Sequence, residues 1–196
     1  VGNITGNVTG NINHTSNLEL QVGGVTRGNF DSSGRLLLGT TTVGDSTADD
    51  LTIETSGSTG ITLRSDAGYA GNIAFSDGTS GADQYRGLIQ YHHNDNIMKF
   101  FTNATEKFRI ASTGLGIGGV TPTRELTIYS PDSGSTYINL TNSTTGTTIN
   151  DGFAIGLSGS EEAKLWNYEN TPMIFSTNST ERLRIGSNGS VGIGTD

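Results

Sequence analysis

Residues 102–118 read TNATEKFRIASTGLGIG, and residues 177–194 read TNSTERLRIGSNGSVGIG. A less regular copy, GGVTRGNFDSSGRLLLG, occupies residues 23–39. The three copies recur at intervals of about 75 to 80 residues, a period typical of proteins built from tandem structural modules. The repeat therefore decides the organisation of the chain.

Each copy of the repeat predicts one β-hairpin. Apolar and charged residues alternate over residues 107–110, as they do in a strand with one buried face. A turn ending at Gly114 or Gly189 follows. In the return strand, residues 115–118, apolar residues alternate with glycine, which weakens an isolated strand by about 0.5–1 kcal/mol per glycine. We therefore expect another backbone to lie against the glycine face.

The composition predicts an all-β protein that cannot fold as isolated modules. The 196 residues are only 32% hydrophobic, and 29 of them are glycine. A module of about 75 residues with so little apolar surface cannot bury a sufficient core of its own. We expect an all-β protein of tandem antiparallel β-modules, β-prism or sandwich-like, in which several chains oligomerise and pool their apolar residues along a common axis.

The chain is predicted to have three parts. Residues 1–45 form an N-terminal β-shaft and the first, less regular hairpin, residues 46–119 form the first β-module, and residues 120–196 form the second. The shaft interpretation is based on the repeated G-N-(I/V)-T pattern of residues 1–17, for which a flexible polar linker is the alternative. Short strands with turns every 8–12 residues are expected in both modules, and no helix. The Leu-Thr-Ile strands at residues 51–53 and 126–128 are predicted to open the two modules, and residues 61–63 and 138–140 are a further matching pair of strands.

Charge and composition exclude several classes of partner. The formal net charge is −8 and the pI is about 4.7, which disfavours binding to nucleic-acid phosphates. The chain has no cysteine, and no apolar run approaches the length that spans a bilayer. Its first residues do not resemble a signal peptide, and we expect the sequence to be a fragment of a longer protein.

The junction between the modules resembles a known repeat. Residues 114–122, GLGIGGVTP, followed by Leu-Thr-Ile at 126–128, are similar to the VGIGTTSP…KLHV repeats of phage tail fibres and tailspikes. In these repeats the segment before this motif is often similar to TNGTERMRI, as residues 102–110 and 177–185 are here. Gly119-Val120 departs from the usual Thr-Thr. The leader also resembles shaft repeats of fibres from phages of aquatic bacteria, cyanophages among them.

This resemblance implies a trimeric, β-rich, fibrous protein of the virion tail, located outside the cell. Its relatives often end in an intramolecular chaperone domain that is cleaved after trimerisation, and nothing in this sequence matches that domain. The implied partners are two further copies of the chain, other virion tail proteins, and a polysaccharide or lipopolysaccharide of the host surface. A pure spacer with its tip elsewhere, a bacterial trimeric adhesin, and a polysaccharide-cleaving tailspike are the alternatives.

Four aromatic residues are the candidate receptor-binding residues: Tyr69, Tyr85, Trp166 and Tyr168. Aromatic rings can stack on sugars, and loops are where binding residues concentrate, which favours Tyr69 and Tyr85. Trp166 occupies the same repeat position as Tyr91, which favours a structural role for that pair.

No cofactor, metal or catalytic residue is expected. His92 and His93 are adjacent, so on a strand they point to opposite faces and cannot chelate one ion within a chain. The carboxylate pairs Asp49-Asp50 and Glu161-Glu162 are interpreted as solvated loop residues. The recurring charges of Glu106 and Arg109 leave two interpretations, a surface ladder within one chain or ion pairs between chains that set the register of the trimer. We favour ion pairs between chains, because a strand that slipped out of register would bring like charges together.

Overall fold

The computed structural model describes residues 17–194, which form an all-β structure. The predicted shaft repeats and His14, in residues 1–16, lie outside the described residues, as do residues 195–196. The described chain contains sixteen strands and one 3-10 helix (Gly81–Tyr85). The strands are β1 Leu18–Val22, β2 Val25–Phe30, β3 Leu36–Leu38, β4 Leu51–Ile53, β5 Ala70–Phe75, β6 Gly87–His92, β7 Ile97–Thr102, β8 Thr105–Ala111, β9 Gly114–Ile117, β10 Leu126–Ile128, β11 Thr136–Leu140, β12 Phe153–Leu157, β13 Ala163–Asn167, β14 Met173–Thr177, β15 Thr180–Ile185 and β16 Val191–Ile193.

These strands form four open sheets, numbered here in chain order. The first sheet is β1-β2-β3-β4, the second β10-β9-β8-β7-β6-β5, the third β11-β12-β13 and the fourth β14-β15-β16. The first sheet lies in a compact unit that ends at Leu63, and the other three lie in a unit that begins at Arg64. The all-β, largely antiparallel prediction is confirmed, whereas the three-part division of the chain stays a prediction.

The predicted hairpin is present in all three copies of the repeat. It is β2-β3 in the first copy, β8-β9 in the second and β15-β16 in the third. A further strand precedes each hairpin and joins it through a two-residue turn whose residues both have positive φ, between 49° and 75°. Turns with two such residues match the twist of paired strands, and asparagine and glycine favour them. The turns are Gly23-Gly24, Asn103-Ala104 and Asn178-Ser179.

A β-bulge recurs at the same place in each copy. The pairing between β7 and β8 passes from Phe100 opposite Phe108 to Phe101 opposite Glu106, so that Lys107 is the extra residue. The first and fourth sheets shift at the equivalent positions. In every copy the carbonyl of the bulged residue accepts a hydrogen bond from the glycine that ends the return strand. The donor and acceptor pairs are Gly39 to Arg27 at 3.0 Å, Gly118 to Lys107 at 2.9 Å and Gly194 to Arg182 at 2.9 Å.

The Leu-Thr-Ile strands, which were predicted to open the modules, instead complete the sheet that precedes them. β4 pairs in parallel with β3, and β10 pairs in parallel with β9, in the same register. Hydrogen bonds secure both ends of the second of these pairs. The Leu115 N–H donates to the carbonyl of Glu125 at 2.8 Å, and the Tyr129 N–H donates to that of Ile117 at 3.0 Å.

The expectation of a backbone against the glycine face is confirmed, and that backbone belongs to the same chain. The segment that connects β9 to β10 crosses this face. A Cβ atom added to Gly116 would lie 2.1 Å from the carbonyl oxygen of Val120 and 3.2 Å from Cδ of Pro122. In the first sheet the equivalent residue is Leu37, which is 1% exposed, and the connection between β3 and β4 takes a different course.

Two local predictions differ from the structure. Residues 61–63 form no strand, although their counterpart in the second module is β11. No helix was expected, and a 3-10 helix covers Gly81–Tyr85.

The two modules differ after their shared strands, because β6 pairs with β7 whereas β13 and β14 belong to separate sheets. Pro172 stands where the first module has Ile97, and proline lacks the N–H that a central ladder requires.

Each sheet carries one apolar face with partly exposed side chains, for example Phe30, Ile73, Leu165 and Phe175. Leu37 and Ala154 are the buried hydrophobic residues among residues 17–194. On the second sheet the registers align two apolar rows, which are Ile73, Ile89, Phe100, Phe108, Ile117 and Ile128, and beside them Tyr91, Met98, Ile110, Leu115 and Leu126. Residues on this face remain 39–59% exposed at Ile117, Leu126, Ile73, Ile110 and Phe75.

The glycine face makes a first prediction. Replacing Gly116 with alanine forces the Val120 carbonyl to move, so we expect a loss of about 1–3 kcal/mol of unfolding free energy, the usual cost of overpacking. Urea denaturation at one fixed protein concentration measures it. Gly68→Ala is the matched control, because a Cβ there meets no atom within 4 Å. Equal midpoints for the two variants would show that the crossover does not need the glycine.

Candidate functional site

Two of the four candidate aromatic residues meet on the third sheet. Trp166 lies on β13, and Tyr168 follows that strand at the same side-chain parity, so both side chains point to one face. Their ring centroids are 5.8 Å apart, with 33° between the ring planes. The ammonium nitrogen of Lys164, two residues earlier, lies 5.0 Å from the centre of the Trp166 ring. This geometry is that of a cation–π contact.

Small residues on the middle strand, β12, make room for this cluster. Ala154 is paired with Trp166 and is 3% exposed, and Gly156 is paired with Lys164. A Cβ at Gly156 would come within 2.6 Å of Cδ1 of Tyr137, which lies opposite on β11. Tyr137 thus extends the same face, a residue that sequence reasoning missed because only the strand pairing brings it beside Lys164. We call Tyr137, Lys164, Trp166 and Tyr168 the aromatic face.

An ion pair holds the lysine of the aromatic face. The Lys164 ammonium lies 2.9 Å from a carboxylate oxygen of Glu162, which also accepts a hydrogen bond from the Ser158 hydroxyl at 2.9 Å. The hydrogen bond with Glu162 raises the pKa of Lys164, and the hydrogen bond with Lys164 lowers the pKa of Glu162. The pair is therefore charged at neutral pH; it is lost in acid as the pH falls through the lowered pKa of Glu162, and in base as the pH rises through the raised pKa of Lys164.

Hydrogen bonds fix the chain around Tyr168. Its N–H donates to the carbonyl of Gly152 at 3.0 Å, and the Gly152 N–H donates to a carboxylate oxygen of Glu169 at 2.8 Å. The Asn167 amide donates to the Thr171 carbonyl at 2.9 Å. Tyr168 is therefore held by hydrogen bonds of its own backbone and of the two residues beside it, although it lies just beyond the strand.

The aromatic face combines the groups that suit a sugar. The electron-rich faces of Trp166 and Tyr168 can pack against the C–H groups of a pyranose ring. Lys164 can donate hydrogen bonds to hydroxyl, carboxylate or phosphate groups of the same ligand. Trp166 is 45% exposed, so a ligand has access to it.

The other two candidates lie apart from this face. Tyr69 precedes β5, is 69% exposed, and contributes its carbonyl to a hydrogen bond from the His93 N–H at 3.1 Å. Tyr85 ends the 3-10 helix and is 40% exposed. Neither makes an aromatic contact in the described part of the chain.

The histidine and carboxylate pairs have partners of other kinds. The His93 ring packs edge-on against that of Tyr91, with 5.0 Å between centroids, and no group of three or more potential metal ligands occurs within residues 17–194. Asp49 accepts a hydrogen bond from Arg35 at 2.6 Å, and Glu162 is paired with Lys164. That the segment is not an enzyme stays a prediction. No helix of the described chain could cross a membrane.

The recurring charges form ion pairs within one chain. Two nitrogens of Arg109 bind the two carboxylate oxygens of Glu106 at 2.5 and 2.7 Å, and both side chains are largely buried, at 15% and 13% exposure. Arg184 and Glu181 repeat the arrangement. Residues three apart on a regular strand face opposite sides, and the bulge at Lys107 turns Glu106 to the side of Arg109. The favoured interpretation, pairing between chains, is therefore not needed to satisfy these charges.

No family model matches the sequence, and no curated protein gives a significant match.

The ion pair makes a second prediction. Glu106→Gln removes the charge that binds Arg109 in a partly buried site, so we expect a loss of about 1–2 kcal/mol of unfolding free energy. Urea denaturation measures the loss. Glu125→Gln is the control, since Glu125 is exposed and its side chain forms no ion pair among the described residues. If both variants unfold at the same urea concentration as the parent, the pair contributes nothing to stability.

Proposed function

We propose that this chain is a segment of a homotrimeric phage tail fibre that attaches the virion to a glycan of the host surface. The observation that carries the proposal is the partly exposed apolar face of each sheet. The resemblance of residues 102–118 and 177–194 to tail-fibre repeats is the reason for proposing a fibre and a trimer. Each module would contribute its own apolar surface to a core shared along the fibre.

The case for assembly starts from the energetics of the second sheet. One of its two apolar rows spans all six strands and the other spans five, β6 to β10, and a soluble monomer rarely exposes a continuous apolar surface of this kind. If two further copies of the chain cover these rows with their own, the apolar area is removed from water and no other protein is needed. An interwoven trimer also unfolds only when its chains separate, which suits a particle that must persist outside cells.

The case for attachment rests on the aromatic face. It lies on the side of the third sheet opposite the apolar residues Ile138, Ile155 and Leu165, because neighbouring strand residues alternate between faces. Assembly through the apolar side would leave the aromatic face at the outer surface. A trimer would present it three times, and simultaneous contacts with one polysaccharide would multiply a weak affinity.

Solution mass tests the assembly. We expect analytical ultracentrifugation to give about 62 kDa, three times the 20.5 kDa of one chain. Ile73→Asp places a charge on the partly exposed apolar face of β5 and should shift the mass toward one chain. Asn72→Asp, on the opposite face of the same strand, is the control and should leave the trimer intact. A parent protein that remains at 20.5 kDa at high concentration would refute the shared core.

Glycan binding tests the attachment separately. In surface plasmon resonance against immobilised bacterial lipopolysaccharides and capsular polysaccharides, we expect Trp166→Ala to weaken binding at least about tenfold, or 1.4 kcal/mol. Tyr69→Ala changes a more exposed aromatic residue outside the aromatic face, 69% against 45% for Trp166, and as the control it should bind as the parent does. Binding by neither parent nor variants to any polysaccharide would favour the spacer alternative. Loss with Tyr69→Ala but not Trp166→Ala would move the site elsewhere.

A further inference from the structure

The ion pair beside the aromatic face places a hydrogen-bond donor and an acceptor side by side. The Lys164 ammonium lies 2.9 Å from Oε2 of Glu162 and 5.0 Å from the centre of the Trp166 ring. An ammonium has three N–H donors, and the ion pair uses one of them. Oε1 of Glu162 has no hydrogen-bond partner among the described residues. A ligand on the Trp166 ring can therefore reach both a free donor and a free acceptor.

The connection between β12 and β13 holds this pair in place. The Glu162 N–H donates to the hydroxyl oxygen of Ser158 at 3.2 Å, and the Ser158 N–H donates to the Glu162 carbonyl at 3.0 Å. The Ser158 hydroxyl in turn donates to the Glu162 carboxylate at 2.9 Å. The Lys164 side chain is 26% exposed and that of Glu162 is 61% exposed. The two groups are thus oriented before a ligand arrives, which lowers the entropy cost of binding.

The same pair removes the attraction that a free lysine would have for an anion. Residues 161–169 contain three glutamates and one lysine, in a chain whose net charge is −8. An anionic group that approaches the Lys164 ammonium also approaches the Glu162 carboxylate, so that attraction and repulsion oppose each other. Glu161 and Glu169 add negative charge to this segment. The aromatic face therefore offers an acidic sugar no net electrostatic attraction.

An uncharged sugar can use every group of the site. A hydroxyl both donates and accepts hydrogen bonds, so one hydroxyl can accept from Lys164 while its neighbour on the ring donates to Glu162. The C–H groups of the sugar ring can pack on Trp166 at the same time. Hydrogen bonds to charged groups are the stronger ones, and a carboxylate in place of the second hydroxyl cannot donate to Glu162.

We propose that the aromatic face binds a neutral hexose of the host polysaccharide, with two adjacent hydroxyls of the sugar bonded to Lys164 and Glu162. This inference rests on the proposed attachment to a glycan and names the class of sugar that is bound. Uronic acids and phosphorylated sugars are excluded from the site. The ion pair acts as the group that determines specificity, because it satisfies hydroxyls and cancels the attraction for acids.

Matched polysaccharides test the inference on the parent protein. Surface plasmon resonance is measured against a panel of neutral and uronate-containing bacterial polysaccharides, and each uronate-containing member is also used with its carboxyl groups reduced to alcohols. We expect the protein to bind neutral or reduced forms at least about tenfold more tightly than the acidic forms. Affinity for the neutral forms should change less than about twofold between about 0.05 and about 0.5 M sodium chloride, because screening acts on charged partners.

A charge-matched pair of variants tests the role of the ion pair. Glu162→Gln keeps the size of the side chain and leaves the Lys164 charge unbalanced. Binding to neutral polysaccharides should weaken about fivefold, and binding to the acidic forms should strengthen and become sensitive to salt. Glu161→Gln changes the net charge equally, and the Glu161 side chain forms no ion pair or hydrogen bond among the described residues. This control should bind every polysaccharide as the parent does.

The outcomes separate this inference from the proposed attachment. If the parent prefers the acidic forms and its affinity falls as salt rises, the neutral-sugar inference is wrong and the attachment to a glycan stands. If the parent binds no polysaccharide of the panel, both are overturned. Equal weakening by Glu162→Gln and Glu161→Gln would show that the ion pair does not determine specificity. The measurements on the parent decide the sugar class even if Glu162→Gln does not fold.

Discussion

The fold of the second sheet depends on one steric constraint, the contact between its return strand and the segment that crosses it. At Gly116 the carbonyl of Val120 occupies the space of a missing side chain. This contact lets the chain turn back over its own strand within residues 118–125 and pair in parallel with β9. Parallel neighbours normally need a connection of a dozen residues or more. Glycine at this position thus permits a short connection, and the second sheet is completed by the strand that follows it.

The β-bulge gives the same repeat its charge arrangement. One extra residue on β8 turns Glu106 toward Arg109, and its carbonyl receives the N–H of Gly118. A single irregularity therefore both satisfies a partly buried ion pair and ends the return strand. The recurrence of this bulge in three copies, with arginine or lysine at each, indicates that it is part of the module rather than a local defect.

Small residues serve a second purpose on the third sheet. Gly156 and Ala154 leave room on the middle strand for Tyr137 and Trp166 to approach from either side. The result is a face of aromatic rings with a lysine held in place by Glu162. The opposite face is apolar. In the proposed assembly, the apolar face of this sheet contacts the other chains, and the aromatic face binds the receptor.

The sequence by itself determined the strands of the repeat, because the period-2 alternation over residues 107–110 and the glycines of residues 114–118 depend only on neighbouring residues. It also determined that a backbone must approach those glycines. Only the tertiary structure decided which backbone this was, since residues 126–128 could have opened a new module as well as completed the old sheet. It likewise decided that Glu106 pairs with Arg109 in its own strand, because a bulge changes which side chains share a face and leaves no mark in the alternation. Tyr137 joined the aromatic face for the same reason: strand register, set by pairing between distant segments, is a property of the folded chain.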